Sequence, residues 1–308
     1  MSEILHLPVL VERVLELLLT NRSGRYLDGT CGLGGHAESI LKELTDEGKL
    51  ICIDRDVKML QVARNRLQEH SDRVSFHHAS YDQAGNVSEV KNSTLDGILL
   101  DLGICSAQLD DDVRGFSYRF DAPLDMRFDQ QSGTTAEEYV NSVSSEELST
   151  ILRSYGDFVN PRKIVERIIS RRKQSPLRSV GDLVSCVEDL FPRKQKNKLT
   201  ARLLQCVRIA VNGELDKLDR ALPTLVEFLK PGGRLAVISY HSQEDRRIKR
   251  FIRQSSRDSG LPPEIEACMK GIGLTLRSVT RRAVKAADKE VRVNPRARSA
   301  RLRVAERV

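Results

Sequence analysis

Three short apolar runs in the first third of the chain each end on an aspartate. They occupy residues 25–28, 49–54 and 95–101. Runs of this length beside helical periodicity are typical of buried parallel strands, and strands joined by helices form βαβ units. The carboxyl ends of such strands meet at one edge of the sheet, where open α/β folds bind ligands. We therefore expect Asp28, Asp54 and Asp101 to lie close together.

Later segments extend the predicted sheet to seven strands. The further predicted strands occupy residues 73–81, 234–240, 274–279 and 300–305, of which 234–240 is strongly apolar. An amphipathic helix is predicted over residues 9–19, and a turn over residues 230–233 is expected to end the helix before the fifth strand. The predicted fold is α/β, with a mostly parallel, Rossmann-like sheet and an inserted, mainly helical domain.

A glycine-rich turn follows the first strand. Residues 28–36 read Asp-Gly-Thr-Cys-Gly-Leu-Gly-Gly-His and lead into a predicted helix. This spacing is not the Gly-x-Gly-x-x-Gly of dinucleotide folds. Asp28 in the turn would repel a pyrophosphate, but it suits a ligand with an ammonium or sulfonium group. S-adenosylmethionine carries both, although a tight turn without any ligand is the alternative.

The next two strands predict the rest of a nucleoside site. Asp54 ends the second strand, about twenty residues after the glycine turn, where an acid can accept both ribose hydroxyls. Tyr81 follows the third strand and is expected to line the adenine. The neighbouring pair His77 and His78 points to opposite faces of a strand, which argues against a metal site. Asp101 would then lie beside the methyl donor.

Between the fourth and fifth strands the pattern changes. Residues 105–129 are acid-rich and irregular, and we interpret them as a flap. Residues 161–208 contain thirteen Lys or Arg but four Asp or Glu, in a helical pattern. Such a segment could track a phosphate backbone, or it could be a solvated helical face. We expect a donor-binding domain of residues 1–104 and 209–308, interrupted by an RNA-recognition domain of residues 105–208.

Composition narrows the class of protein. The 308 residues carry a formal net charge of +7, which favours a polyanionic partner. Six cysteines are scattered without a Cys-x-x-Cys pair, which argues against zinc and for a reducing, cytoplasmic compartment. Acidic residues interrupt the amino terminus, so we expect no signal peptide, and no apolar run is long enough to span a membrane. We therefore expect neither metal nor membrane binding.

Several motifs together resemble the RsmH (MraW) family, in that family's order and over nearly the whole chain. They are residues 6–10, 28–36, 101–103, 114–117, 123–127, 208–212, 241–246 and 294–300. The chain departs from the family's usual residues at Cys105, Ala107 and Gln243.

The resemblance implies a class I methyltransferase fold and methylation of cytidine N4 in the decoding region of 16S ribosomal RNA of the small subunit. S-adenosylmethionine would be the cofactor. The resemblance implies that the donor is held by Gly34, Gly35, His36, Asp54, Tyr81, Asp101 and Gln108, to which the turn itself adds Asp28. Gln108 rests on the resemblance alone.

An amine conjugated with its ring is a poor nucleophile, so the site must orient it and accept its proton. Asp101 is a candidate for this catalytic role, although its place favours sharing it with the donor, and His241, Asp125 and Glu244 are alternative proton acceptors. The target base must leave its stack, and Phe116, Tyr118 or Tyr240 could stack on it.

Two other functions remain open at this stage. A protein or small-molecule methyltransferase would share the donor site without needing the basic insertion. A non-catalytic RNA-binding or assembly factor would lack donor binding, which the three strand-end aspartates argue against. The sequence leaves the oligomeric state open.

Overall fold

A computed structural model describes residues 8–92, 94–256 and 275–308. The strands are β1 Arg25–Asp28, β2 Lys49–Asp54, β3 Val74–His78, β4 Leu95–Asp101, β5 Leu229–Ser239, β6 Leu276–Ser278 and β7 Arg301–Arg307. The α-helices are α1 Val11–Leu18, α2 Gly35–Glu43, α3 Val57–Arg66, α4 Ser88–Lys91, α5 Ser106–Leu109, α6 Ala136–Ser142, α7 Ser145–Gly156, α8 Arg162–Gln174, α9 Val180–Ser185, α10 Lys196–Asn212, α11 Glu214–Glu227, α12 Ser242–Ser255 and α13 Asp288–Val293. Short 3₁₀ helices cover Gln68–His70, Tyr81–Asn86, Glu188–Leu190, Arg193–Gln195 and Pro295–Ser299.

The seven strands form one sheet in the order β3-β2-β1-β4-β5-β7-β6. Strands β1 to β5 are parallel to one another, and β7 runs antiparallel to both β5 and β6. The order reverses between β1 and β4, which places a ligand crevice at their carboxyl ends. The predicted α/β, Rossmann-like fold, with its seven-stranded and mostly parallel sheet, is confirmed.

Side chains that point alternately to the two faces of the sheet explain why helices pack on both faces. Leu27 and Ile98 belong to the apolar cluster on one face of the sheet, together with α11. Tyr26 and Leu99, one residue away, belong to the cluster on the other face, together with α1 and α2. Because successive side chains of a strand point to opposite faces, a strand buried on both sides is apolar throughout.

The chain divides into two compact units. The first contains the described residues up to Gly103 and from Asp216 onward, and the second contains Ile104–Leu215. The sheet and its flanking helices make up the first unit. The second unit is helical and has its own apolar core, to which α6, α7, α8, α9 and α10 all contribute.

One local prediction differs from the structure, and part of another is not tested. The predicted turn at residues 230–233 lies inside β5, which begins at Leu229 and continues through Lys230–Gly233. Gly232 has φ of +81°, and the pairing of β5 with β4 shifts its register between Leu95 and Gly97, so the Pro-Gly-Gly sequence forms an irregularity inside the strand. Leu274 of the predicted sixth strand lies outside the described residues.

None of the described helices is both long and apolar enough to cross a membrane.

Candidate active site

The turn after β1 is tied to both neighbouring strands by its own backbone. The N–H of Gly29 donates to the carbonyl of Leu99 in β4 (2.9 Å), and the N–H of Cys31 donates to that of Ile53 in β2 (3.0 Å). The N–H of Gly32 donates to Oδ2 of Asp54 (2.7 Å). These contacts hold the turn across the carboxyl ends of three adjacent strands.

Two glycines are required by the fold itself. Gly34 has φ of +80° and is the N-cap of α2, a conformation that side chains with a Cβ rarely adopt. A Cβ at Gly34 would lie 3.2 Å from Cβ of Ala63, and one at Gly35 would lie 3.2 Å from Pro8. Packing and backbone conformation therefore explain both glycines, and their contact with a donor stays a prediction.

Asp28 is a buried carboxyl group with one uncommitted oxygen. Its side chain is 1% exposed, and Oδ1 accepts the N–H of Thr30 (3.1 Å). Within the described part of the chain, Oδ2 has no hydrogen-bond partner. Burial raises the pKa of Asp28 to about 7; nearby His36 opposes this rise, whereas Asp101 and Asp54 add to it.

Asp101 links two groups that are distant in sequence. Its Oδ1 accepts the hydroxyl of Tyr240 (2.8 Å), and its backbone N–H donates to Oγ1 of Thr30 (2.6 Å). Its Oδ2 lies 3.5 Å from Nε2 of His36, an ion-pair distance without hydrogen-bond alignment. Burial alone would lower the pKa of His36, but Asp101 and the other nearby carboxylates more than offset this and raise it. Burial and Asp101 raise the pKa of Tyr240.

Asp54 and Tyr81 border the same turn. Oδ1 of Asp54 accepts the N–H of Asp56 (2.8 Å), while its Oδ2 holds Gly32, so backbone bonds fix the carboxylate in place. Tyr81 is buried, and its Cβ lies 3.3 Å from the position that a Cβ on Gly29 would take. The structure thus brings Asp28, His36, Asp54, Tyr81 and Asp101 to one edge of the sheet.

This cluster fits a nucleoside that carries positive charge. Three buried polar atoms beside the turn lack hydrogen-bond partners among the described residues: Oδ2 of Asp28, Nε2 of His36 and Oγ of Ser80. Buried polar atoms are normally satisfied, so atoms of this kind mark a place where a ligand supplies the missing contacts. Ser80 was missed at the sequence level, because a serine before a predicted loop gives no signal of burial. No described set of three or more His, Cys, Asp or Glu side chains is arranged to hold a metal ion.

Two predicted site residues belong to the second unit. Gln108 lies in α5, is 5% exposed and accepts the N–H of Cys105 through Oε1 (3.2 Å). Asp125 accepts both Nε (2.8 Å) and Nη2 (3.0 Å) of Arg127, and these bonds outweigh burial to lower its pKa. A carboxylate held by a guanidinium is a weak proton acceptor, so this geometry disfavours Asp125 as the base.

His241 and Glu244 form a helix cap. His241 is the N-cap of α12, its Nδ1 accepts the N–H of Glu244 (3.4 Å), and its Nε2 lies 3.0 Å from Oε1 of Glu244. Oε2 of Glu244 accepts the N–H of Tyr240 (2.9 Å). This reciprocal arrangement satisfies orphan donors at the helix start. It gives both residues a structural role, and a catalytic role for His241 stays a prediction.

One of the three aromatic side chains proposed to stack on the base is packed inside the second unit. Phe116 is 6% exposed, and its ring stacks on Phe128 at a centroid distance of 5.3 Å. It is therefore a core residue of the second unit and not available to stack on a base. Tyr118 and Phe120 are 41% and 38% exposed. Phe120 was not proposed as a stacking residue, because the sequence does not indicate which aromatic side chains of this segment are exposed.

Comparison with known proteins covers the whole chain. Residues 3–308 match the profile of the MraW methylase family. A protein of Heliobacterium modesticaldum is 42% identical over 98% of this chain and 98% of its own length, and one of Heliobacterium mobile is 40% identical over 98% and 99%. A Salinispora tropica protein is 44% identical over 98% of this chain and 84% of its own length. All three bear the name ribosomal RNA small subunit methyltransferase H.

Proposed function

Because the chain belongs to the MraW methylase family and uses S-adenosylmethionine as its methyl donor, we propose that it methylates N4 of a cytidine in the decoding region of 16S ribosomal RNA. The observation that carries this proposal is the full-length similarity to proteins named ribosomal RNA small subunit methyltransferase H. The cytidine and its N4 come from the motif resemblance. A cytoplasmic location and a small-subunit substrate follow from the same proposal.

The donor-binding part of the proposal rests on the carboxylates at the strand ends. Asp54 would accept the ribose hydroxyls, Tyr81 would pack on the adenine, and Gln108 would add a polar contact. Asp28 would bind the positively charged end of the donor, because its Oδ2 is buried and has no hydrogen-bond partner among the described residues. Gly34, Gly35 and His36 would approach it from the turn.

The donor supplies an electrophilic methyl group, and transfer to an amine releases one proton. We propose that Asp101 orients the amine and accepts that proton. Its Oδ1 is held by Tyr240, which fixes the plane of the carboxylate, and its Oδ2 faces His36. A carboxylate oriented in this way can hold the amine in line with the methyl carbon.

The second unit supports an RNA substrate through its charge. The four acids between residues 161 and 208 each pair with a basic residue, as in Arg167 with Asp189 (3.0 Å) and Lys196 with Glu188 (2.7 Å). Lys163, Lys194 and Lys198 have no ion-pair partner within the described ranges. Unpaired cations are available to neutralise phosphates.

The test is transfer of radiolabelled methyl from S-adenosylmethionine to small ribosomal subunits that lack the modification, with mass spectrometry of the product nucleoside. We expect N4-methylcytidine from the wild-type protein and from Asp72→Asn, which changes an exposed acid before β3. Asp101→Asn should lose the label. No label on RNA from wild-type protein that binds the donor would refute the substrate assignment.

Charge reversal separates RNA from other acceptors. Reversal at Arg193, Lys194, Lys196 and Lys198 should abolish methylation of the subunit while donor binding is unchanged. Unchanged methylation would instead favour a protein or small-molecule substrate.

A further inference from the structure

A cationic cavity lies beside the proposed catalytic carboxylate, within the first unit. It has a volume of about 230 Å³ and is lined by His241, Ser242, Lys285, Arg298, Ser299 and Arg301, with Tyr240 and Ala300. Three of the lining side chains are cationic, three carry hydroxyls, and none is a carboxylate. Arg298 and Ser299 belong to the 3₁₀ helix Pro295–Ser299.

Only one of the three cations of this cavity has an ion-pair partner in the described ranges. Arg301 is paired with Asp245 (3.1 Å), which also accepts Nε of Arg303 (2.7 Å). In contrast, Lys285 and Arg298 have no ion-pair partner in the described ranges, and both are exposed. Glu244 is committed to the cap of α12. The two free cations therefore determine what the cavity attracts.

The cavity lies close to the carboxylate of Asp101, which indicates what kind of molecule would bring an anion into it. Tyr240 lines the cavity, and its hydroxyl donates to Oδ1 of Asp101 (2.8 Å). One side chain thus reaches from the cavity to the carboxylate proposed to hold the cytidine amine. An anion in this cavity would lie near the acceptor nucleotide.

We propose that the cavity formed by Lys285, Arg298 and Arg301 binds a backbone phosphate of the RNA next to the target cytidine. Guanidinium and ammonium groups are the usual partners of phosphate oxygens, and the hydroxyls of Ser242 and Ser299 add donors. Extruding a base costs a few kcal/mol, and a phosphate held beside the site keeps the extruded nucleotide in place. This inference rests on the proposed function for its choice of RNA.

The experiment measures anisotropy of a fluorescein-labelled RNA containing the decoding-region sequence, titrated with full-length protein at several salt concentrations. Each lost phosphate contact lowers the slope of log affinity against log salt by about 0.7 for a single strand. If a variant and the wild type bind equally at 1 M salt, a slope lower by about 0.7 makes the Kd of the variant roughly fivefold higher at 0.1 M salt. We expect this loss for Lys285→Gln and for Arg298→Gln, with partial recovery in Arg298→Lys.

The matched control is Lys91→Gln, which removes one exposed charge from the segment preceding β4, at the opposite end of that strand from Asp101. It should keep the wild-type slope, and all variants should bind S-adenosylmethionine as the wild type does. A double Lys285→Gln, Arg298→Gln variant with the slope and Kd of Lys91→Gln would overturn the proposal.

Acylation of lysines by acetic anhydride, followed by mass spectrometry, distinguishes the source of the phosphate. RNA should protect Lys285 but leave Lys91 reactive. Protection by inorganic phosphate and none by RNA would overturn the RNA assignment. RNA binding with the expected slopes but without methyl transfer would refute the proposed function and leave the phosphate site supported.

Discussion

Replacing Asp28 with asparagine should stabilise the donor-free protein while weakening its hold on the donor. Asp28 is fully buried, and its pKa is raised from 3.8 to about 7. Between pH 3.8 and about 7, the Asp28 carboxyl is ionised in the unfolded chain but protonated in the folded one. The free energy of unfolding therefore falls as pH rises through this range. Above about pH 7, Asp28 is ionised in both states, and the stability lost through its burial no longer changes with pH.

The magnitude follows from the size of the shift. One pKa unit is about 1.4 kcal/mol, so the shift corresponds to at most about 4 kcal/mol at pH 8. The pKa of about 7 already includes the attraction between Asp28 and His36, so we expect Asp28→Asn to gain up to about 4 kcal/mol there. Asparagine keeps an oxygen for the N–H of Thr30, so the turn retains that contact.

The assay is thermal unfolding of wild type and Asp28→Asn from pH 4 to 8, with and without S-adenosylmethionine. Without donor, the melting temperature of the variant should exceed that of the wild type by several degrees at pH 8, and by almost nothing at pH 4. With donor, the wild type should gain more than the variant. A variant less stable than the wild type at pH 8 without donor would refute this account of Asp28.

Three further outcomes are expected. Tyr240→Phe removes the hydroxyl bonded to Asp101, and should lower kcat about tenfold or more while the Kd of the donor is unchanged, which single-turnover kinetics and calorimetry can check. Gly34→Ala forces a Cβ into left-handed backbone and should cost about 1–2 kcal/mol of stability, measured by denaturant unfolding. Asn212→Ala removes the side-chain oxygen that accepts the N–H of Phe128 (2.9 Å), and should destabilise the second unit by about 1–3 kcal/mol, with hydrogen exchange faster there than in the sheet.

The sequence predicted the strand-end aspartates well, because a buried parallel strand followed by an acid is a local pattern. Asp28, Asp54 and Asp101 could be assigned to one edge from the βαβ order alone. The bond from Tyr240 to Asp101 could not, since it depends on β5 pairing with β4 after a long insertion. Nothing local in the sequence reports that register.

Two contacts of proposed catalytic residues had readable local signals. His241 precedes Glu244 by three residues at a helix start, the spacing of a capping box, although histidine is an unusual cap. Asp125 lies two residues before Arg127, which takes both of its oxygens. The burial of Phe116 had no such signal, because it comes from packing within the second unit.

The insertion of a whole unit between β4 and α11 has a consequence for the newborn chain. Strand β4 leaves the ribosome before the second unit is made, while β5, its neighbour in the sheet, follows that unit. At common synthesis rates the gap is on the order of ten seconds. Throughout that interval β4 has an unpaired edge, which is a template for wrong pairing. If residues 104–215 fold promptly, the flexible loop between β4 and β5 becomes shorter, which lowers the entropy cost of pairing these strands. Folding of the second unit would therefore promote correct assembly of the sheet.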